Sequence, residues 1–445
     1  MAGGTWNLQN KIRPGVYIRF QSAGGQGLNA GERGVVALCE PMSWGPVAQV
    51  QRVEAGANTV PCCGYDITQP QARFLNEIFK GTNRTPAPKT VLLYRPSASG
   101  SAQATAAIGD MTVTARYPGL RGNDIAVTVT ESADQTGVFT VATIVDGEIK
   151  DSQAASEISE LRANDWVVFS GEGTLTATTG TKLSEGADGT VQAAAYSAFL
   201  EVIEPYTFDI LVYDGNESAV KEAMVRFVRR IAEENGRYSQ LVAAELAHPD
   251  SRYAINVTSG VVLADGTELT PQQTTWWVGG AQAGAKYNES LTYAKYPGAV
   301  AATPVLTNSQ IEDGLRKGNL MVTAEEGSVR IEQDINTLVT YTADIGNAFR
   351  KNRVMRLCNT VANDIYRQFS EHFIGIVNNN EAGRSLFKNA IVGYLLDVQS
   401  SQGIQNFSAD DVEILPGEEL DSVMVHLQMQ PVDSAEKIYL AIKIA

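Results

Sequence analysis

Apolar and polar positions alternate strictly through the final stretch of the sequence, 436–445. Ile438, Leu440, Ile442 and Ile444 fall on one face, with Tyr439, Ala441 and Lys443 on the other. A period of two predicts a half-buried β-strand. No hairpin partner follows it, and terminal residues fray unless something ties them down. Left bare, an apolar strand without proline is an aggregation site, so it is expected to pair with its own sheet or with another molecule's. A second strand-like piece lies near the other end. After Arg13-Pro14-Gly15, the residues Val16, Ile18 and Phe20 share a face, with Tyr17 and Arg19 opposite. Pro14 suits an edge or an extension, because it has no N–H for a ladder. The chain is therefore expected to carry an extended strand at each end.

Between these ends the periodicity changes by region. Residues 1–34 read as an extended arm whose 22–34 segment is a glycine-rich hinge. From Gly34 a strand-and-helix rhythm begins, with strands at 35–40 and 91–95. Between them a helix is predicted at 68–81, capped by Thr68, with Phe74, Leu75, Ile78 and Phe79 inward and Gly81 at its end. Residues 97–189 turn rich in Thr, Ala, Gly, Ser and Val, with short alternating runs between turn signals, the pattern of a small β-sandwich or barrel. The α/β rhythm then resumes. Helices are expected at 190–203, 217–234, 271–286 and 308–317, strands at 208–213 and 240–246, and a hairpin of 320–324 with 328–333 turning at Glu325-Glu326-Gly327. Strands alternating with helices argue for a layered α/β domain. It is discontinuous, 35–96 plus 190–335, with 97–189 inserted into it. A carboxyl-terminal α/β domain, 336–431, opens with a strand at 335–341. It continues with two long helices, whose stripes include Val354, Leu357, Val361 and Ile365, and Phe387, Ile391, Leu395 and Val398. Strands at 411–415 and 422–429 close it, and 432–445 forms the unpartnered final strand.

Composition narrows the classes of partner. The chain has 445 residues, 44% of them hydrophobic and 19% charged, which suits several globular domains. A formal charge of −15 and a pI near 4.8 argue against nucleic acid or an anionic membrane as the main partner. Residues 1–9 lack a basic segment followed by an apolar run, so no signal peptide is expected. No stretch approaches the roughly 20 apolar residues of a membrane span. Cys39, Cys62, Cys63 and Cys358 are scattered, and the adjacent pair is poor spacing for a zinc knuckle, so buried thiols made in a reducing cytoplasm are expected.

The search for chemistry yields little. His248 precedes Pro249-Asp250 at a strand end, His372 sits on a helix and His426 in a strand. No Gly-x-Ser-x-Gly elbow accompanies them, so a hydrolytic triad exists only by free choice of serine. Ser22-Ala23-Gly24-Gly25-Gln26-Gly27 precedes a strand and opens no helix, so it reads as a loop and not a phosphate cradle. The acidic pairs Asp410-Asp411, Glu418-Glu419 and Glu325-Glu326 fall at turns, where solvated carboxylates are ordinary. No catalytic, cofactor or metal-binding set is expected. One charge cluster stands out: Arg350, Lys351, Arg353 and Arg356, read as lying in a single helix. It is either a solvated face paired with the protein's own acids or a basic stripe that docks an acidic partner.

Six segments, in order, carry a resemblance. Arg13-Pro14-Gly15-Val16-Tyr17, the run from Tyr117-Pro118-Gly119 to Asp124-Ile125, and Thr270-Pro271-Gln272-Gln273 with Gly279-Gly280-Ala281-Gln282-Ala283-Gly284 are the first three. Asn288-Glu289-Ser290-Leu291-Thr292-Tyr293, the run from Val329-Arg330-Ile331 to Val339-Thr340, and Gln430-Pro431-Val432-Asp433 with Lys437-Ile438-Tyr439 complete them. Together they resemble the contractile-tail sheath proteins of phages and phage-tail-like bacteriocins. The resemblance implies a discontinuous α/β core of subtilisin-like topology without a protease site, an inserted β-sandwich, and a carboxyl-terminal α/β domain with strand-exchanging arms. It also implies the role of a structural subunit and not an enzyme: a helical homopolymer around an inner tail tube that contracts to drive the tube through a cell envelope. Its partners are then itself, the tube protein, and baseplate and tail terminator proteins, with no cofactor, nucleic acid or membrane bound. It works in the virion tail after assembly in the host cytoplasm. The exchanged residues are Val16, Tyr17, Ile18 and Phe20 from one neighbour and Ile438, Tyr439, Leu440, Ile442 and Ile444 from another. They join acceptor strands carrying Val412, Ile414, Val423, Val425 and Leu427, and the Arg350, Lys351, Arg353 and Arg356 face is expected to meet the tube. A serine hydrolase on the α/β core and a glycan-binding adhesin acting through 97–189 are the competing readings.

Overall fold

The computed structural model describes residues 3, 4, 13, 15–17 and 33–443. Ile18, Phe20 and Ile444 lie outside the described residues. The chain divides into two compact units, the smaller made of 38–76 with 92–203, the larger of 77–91 with 204–445 and the described residues before 38.

In the larger unit, β1 (Ile210–Tyr213), β2 (Gln240–Ala244), β3 (Ala254–Val257) and β4 (Asn319–Leu320) run parallel in the spatial order β4-β3-β2-β1. Residues of β1, β2 and β3 are buried throughout, as parallel strands covered on both faces require, which is why their sequences are nearly unbroken apolar runs. Helix α1 (Ser218–Glu233) buries the stripe of Val220, Met224, Phe227, Val228 and Ile231. Helix α2 (Pro271–Gly284) starts at Thr270, whose hydroxyl accepts from the Gln273 N–H, with proline in its first turn. Its glycines permit a close approach. A Cβ on Gly280 would stand 2.0 Å from the Ile78 carbonyl oxygen, and one on Gly279 would stand 2.3 Å from Val212 Cγ2. The hairpin of Val322–Glu325 and Ser328–Ile331 turns through Glu326 and Gly327, both at positive φ, the geometry that matches strand twist.

The strand predicted at 335–341 does not form. Residues 334–338 are buried one after another and not on one face, and the backbone is satisfied piecemeal. Ile335 bridges Lys351, Asn336 N–H donates to the Arg350 carbonyl, Thr337 N–H to the Ala254 carbonyl, and the N–H groups of Val339 and Thr340 to the Asp250 carboxylate. Beyond it lie α3 (Asn352–His372), α4 (Glu381–Ser400), β5 (Val412–Pro416) and β6 (Val423–Leu427). Leu357 and Val361 of α3 meet Phe387, Ile391, Leu395 and Val398 of α4, and Val412 closes the same core. Helical spacing of these apolar residues is what made both helices visible in the sequence.

The smaller unit holds the β-sandwich. One sheet orders Glu148–Ala155, Phe139–Val145, Ile125–Glu131 and Thr178–Lys182, and the other Val167–Ser170, Met111–Ala115 and Thr105–Ile108. Alternate residues such as Val113, Val127, Val129 and Val141 fill the interior beside Trp44 and Trp166. Arg121 is buried at the sandwich base. It holds Asp146 through two nitrogens at 2.8 and 2.6 Å, donates to the Gly64 carbonyl at 3.0 Å and lies over the Tyr65 ring. The helix predicted at 68–81 is shorter, a 3-10 turn Pro70–Ala72 running into Arg73–Ile78. Thr68 does not cap it, because its hydroxyl is committed to the Asp66 carboxylate at 2.6 Å. Cys39, Cys62, Cys63 and Cys358 are free and buried.

Candidate assembly site

Of the strand predicted at 436–445, residues 436–443 are described, and they pair with no strand among the described residues. Described residues from Glu436 onward belong to no strand, and the apolar ones stand in solvent: Ile438 is 88% exposed, Tyr439 91%, Leu440 79% and Ile442 76%. An extended segment gains nothing from its own backbone, so alternation alone cannot order it. At the other end, Val16–Tyr17 does form a short strand, parallel to Gly3–Gly4, and the Tyr17 hydroxyl donates to the Arg13 carbonyl at 2.8 Å.

Among the described residues, the sheet of β5 and β6 has two strands, in antiparallel register from Val412↔Leu427 to Pro416↔Val423. The Gln428 N–H donates to the Asp411 carbonyl at 3.0 Å, and the Gly417 N–H to the Ser422 carbonyl at 2.9 Å. Bonded pairs alternate along an antiparallel ladder, so 413/426 and 415/424 are the bonded pairs between them. Val412, Ile414 and Pro416 on β5 and Val423, Val425 and Leu427 on β6 therefore turn their backbone groups outward along two edges. Side chains of Val412, Ile414, Val425 and Leu427 pack on the α3–α4 core. The five predicted acceptor residues thus share one face, and what they present outward is backbone.

The root of the tail is held firmly. The Glu436 carboxylate accepts from the Thr292 hydroxyl at 2.8 Å, from Gln333 Nε2 at 2.7 Å and from the Lys351 ammonium. Lys351 also lies 3.8 Å from Asp433. Just upstream, the Val432 N–H donates to the Gly403 carbonyl at 3.0 Å, and Pro431 bridges Ile404. The Glu436 side chain is only 10% exposed. Burial acts to raise its pKa, but the bonds from Lys351, Gln333 and Thr292 outweigh this and hold the carboxyl below its ordinary range. Burial ends abruptly between Glu436 and Ile438.

The basic cluster is not one exposed helical stripe. Arg350 ends the 3-10 turn Asn347–Arg350 and donates to the Leu315 carbonyl; Lys351 precedes α3 and is committed to Glu436. Arg353 is half-buried near Asp433. Arg356 is 0% exposed and cannot face a partner. Its guanidinium meets Asp334 at 2.7 Å, the Glu289 carbonyl at 2.6 Å and the Gln282 amide oxygen. Asp334 in turn accepts from Gln282 at 2.7 Å, Asn352 at 3.0 Å and the Leu291 N–H at 3.0 Å. A buried ion pair needs this many supporting bonds to offset the cost of removing both charges from water. Burial pushes the Asp334 pKa up, and Arg356 with the other donors brings it below the usual range. Neither Asp334 nor Gln282 was singled out from sequence, although both sit inside segments that carried the family resemblance.

The histidines are dispersed. His248 is exposed with φ +46°, His372 is exposed on α3, and His426 faces solvent on β6 opposite Glu413. The Ser251 hydroxyl, nearest to His248 in sequence, accepts from the Tyr253 N–H at 3.1 Å. Among the described residues, no group of three or more His, Cys, Asp or Glu is placed to hold a metal ion, and no helix is long and apolar enough to cross a membrane.

Three family descriptions match the chain: phage tail sheath protein β-sandwich domain over residues 99–188, central domain over 189–337 and C-terminal domain over 344–445. The phage-like element PBSX protein XkdK of Bacillus subtilis is 34% identical across 100% of both chains. A solved sheath tail protein from Desulfitobacterium hafniense is 40% identical, covers 97% of this chain and 100% of its own, and superposes with a TM-score of 0.85. The helical sheath of the anti-feeding prophage in its contracted state, 14% identical, shares the fold with a TM-score of 0.57 over 97% of this chain and 99% of that one.

Proposed function

Because the chain belongs to the phage tail sheath protein family and is a structural sheath subunit, we propose that its terminal arms link copies head-to-tail into a helical jacket around an inner tail tube. The jacket shortens by rigid-body rearrangement and drives the tube through a cell envelope. The observation that carries this reading is the exposed, alternating segment after Glu436, which leaves a firmly held root in a domain whose two-stranded sheet has open edges.

Strand addition supplies ladder hydrogen bonds, and alternate side chains set its register. Burying Ile438, Leu440 and Ile442 is worth roughly 1.5–3 kcal/mol each as an upper bound. Fixing the backbone costs roughly 1–2 kcal/mol per residue, so a single arm is close to break-even. Many arms in one lattice raise the effective concentration of each, which makes assembly cooperative. Contacts of this head-to-tail kind build open helices when the rotation does not close. The Val16–Phe20 strand of another neighbour joins the same sheet, with the glycine-rich 22–34 segment as its hinge. The partners are other copies of the chain, the tube protein, and baseplate and terminator proteins at the ends. The site of action is the virion tail, after assembly in the host cytoplasm. The role calls for no catalytic site and no cofactor.

Deletion of residues 437–445 tests the reading. The truncated protein is expected to stay folded and monomeric and to form no tubes by electron microscopy. Tubes of normal length from that protein overturn the role given to the arm.

A further inference from the structure

The three groups that donate to Glu436 are chain neighbours of groups bound to Asp334. Thr292 follows Leu291, whose N–H donates to Asp334 Oδ2 at 3.0 Å. Gln333 precedes Asp334 itself. Lys351 precedes Asn352, whose Nδ2 donates to Asp334 Oδ1 at 3.0 Å and whose N–H donates to the Asp334 carbonyl at 3.1 Å. The Asp334 N–H in turn donates to the Thr292 hydroxyl at 3.0 Å, the same hydroxyl that donates to Glu436. Consecutive Cα atoms stand about 3.8 Å apart. Fixing Leu291, Asp334 and Asn352 therefore leaves Thr292, Gln333 and Lys351 one peptide unit of freedom each.

The Asp334 carboxylate is fully occupied. Its Oδ1 accepts from Gln282 and Asn352 and its Oδ2 from Arg356 and Leu291, which uses all four acceptor positions of a carboxylate. Asp334, Gln282 and Asn352 are all buried. In so dry a setting a displaced donor is left unpaired at a cost, so the four partners are held in place. Backbone bonds join the same segments in pairs, from the Tyr293 N–H to the Ile331 carbonyl and from the Asn336 N–H to the Arg350 carbonyl. The carboxylate gathers the 291 and 352 segments onto its own and ties all three to α2 through Gln282.

We propose that Asp334 is the positioning residue of the carboxyl-terminal arm. It presents Thr292, Gln333 and Lys351 to Glu436 and so aims a segment to which it does not itself bond. The aiming role rests on the strand-exchange reading above and adds to it what sets the direction in which the arm leaves the subunit. Support runs one way: the Asp334 centre stands without the Glu436 clasp, and the clasp does not form without the centre.

The variant D334N keeps the shape of the side chain and breaks the centre. An amide has one acceptor oxygen, so it serves at most two of the four donors. Hydrogen exchange at 431–436 is expected to quicken at least about tenfold in D334N, a loss on the scale of one hydrogen bond to a charged group. Adding E436A to D334N should quicken it by less than about threefold more, well short of the effect of E436A alone, because the donors are already out of place. Two effects that multiply independently are what a merely structural role gives, and they overturn the proposal. A second reading does not depend on D334N folding. In E436A the amides of Leu291 and Asn352, which bond to Asp334, should keep wild-type exchange, and quickening there equal to that at 431–436 overturns the order of support. In tube assembly D334N should raise the critical concentration, and D334N with E436A should stay within about threefold of D334N alone. Normal assembly of D334N despite quickened exchange at 431–436 overturns the aiming role. Tubes that still form after deletion of 437–445 overturn strand exchange itself, an outcome that the exchange rates in the free subunit do not share.

Discussion

Replacing Glu436 by alanine should release the arm at its root and leave the rest of the molecule standing. The substitution removes the three hydrogen bonds that Thr292, Gln333 and Lys351 donate. One of them comes from a cation, and the pair is largely shielded, with side-chain exposures of 22% for Lys351 and 10% for Glu436. Bonds to charged groups contribute about 1.5–3 kcal/mol and neutral ones about 0.5–1.5. Side-chain entropy regained on release and the alternative partner Asp433, 3.8 Å from Lys351, reduce the sum. A net local cost of about 2–3 kcal/mol results, equivalent to roughly 30- to 150-fold in an opening equilibrium. Hydrogen exchange at 431–436 reads that equilibrium directly, since local openings differ in free energy across a structure. Exchange there should speed up by that factor in E436A while α3 and α4 keep wild-type rates. E436Q keeps one acceptor oxygen, which can serve the Gln333 and Lys351 side or the Thr292 side but not both, and should lose only about 1–2 kcal/mol. Unchanged exchange at 431–436 in E436A, or equal acceleration in α3 and α4, refutes the idea of a local clasp.

Two further outcomes follow from the same geometry. The Glu436 carboxyl is held below its ordinary range, so the clasp is complete above the unfolded value of about 4.5 and is lost as pH falls through the lowered folded value; exchange at 431–436, corrected for its intrinsic pH dependence, should quicken over that acid window in the wild type and stay flat in E436Q. The variant R356M strips Asp334 of its charge partner inside the core and should destabilise the larger unit by about 3–5 kcal/mol in chemical denaturation, because an unpaired buried carboxylate is left behind, whereas R353M, at a half-buried position, should cost under about 1 kcal/mol.

What the sequence revealed depended on how local each cause was. The stripes of α1, α3 and α4 repeat every three to four residues, and β1 and β2 are apolar runs between turn signals, so neighbours in the chain declare them. β3 escaped because its residues include Asn256, which is tolerated in a buried strand through its bonds with the Leu246 N–H at 2.8 Å and with Asn319 at 2.9 Å, the latter far along the chain. The stretch 335–341 misled for the opposite reason: its β-branched and aromatic residues favour a strand locally, but Asp250 and separate carbonyls took the places a neighbouring strand would have filled. The same non-locality hid the role of Arg356. Asp334 is 22 residues away and Gln282 is 74, and composition around Arg356 says only that cations cluster there. The tail's alternation was legible from its own residues, whereas the carboxylate that holds its root was not.

The distances along the chain between Glu436 and its partners impose a timetable. Thr292, Gln333 and Lys351 precede it by 144, 103 and 85 residues. At about 5–20 residues per second, Thr292 leaves the ribosome roughly 7–30 s before Glu436 does. Helices and small domains form far faster than that. The receptor for Glu436 therefore stands ready when the carboxylate arrives, before the exposed apolar segment that follows it is made. On the proposed strand-exchange role, a nascent subunit thus has no carboxyl-terminal arm to offer a neighbour until translation has passed Glu436.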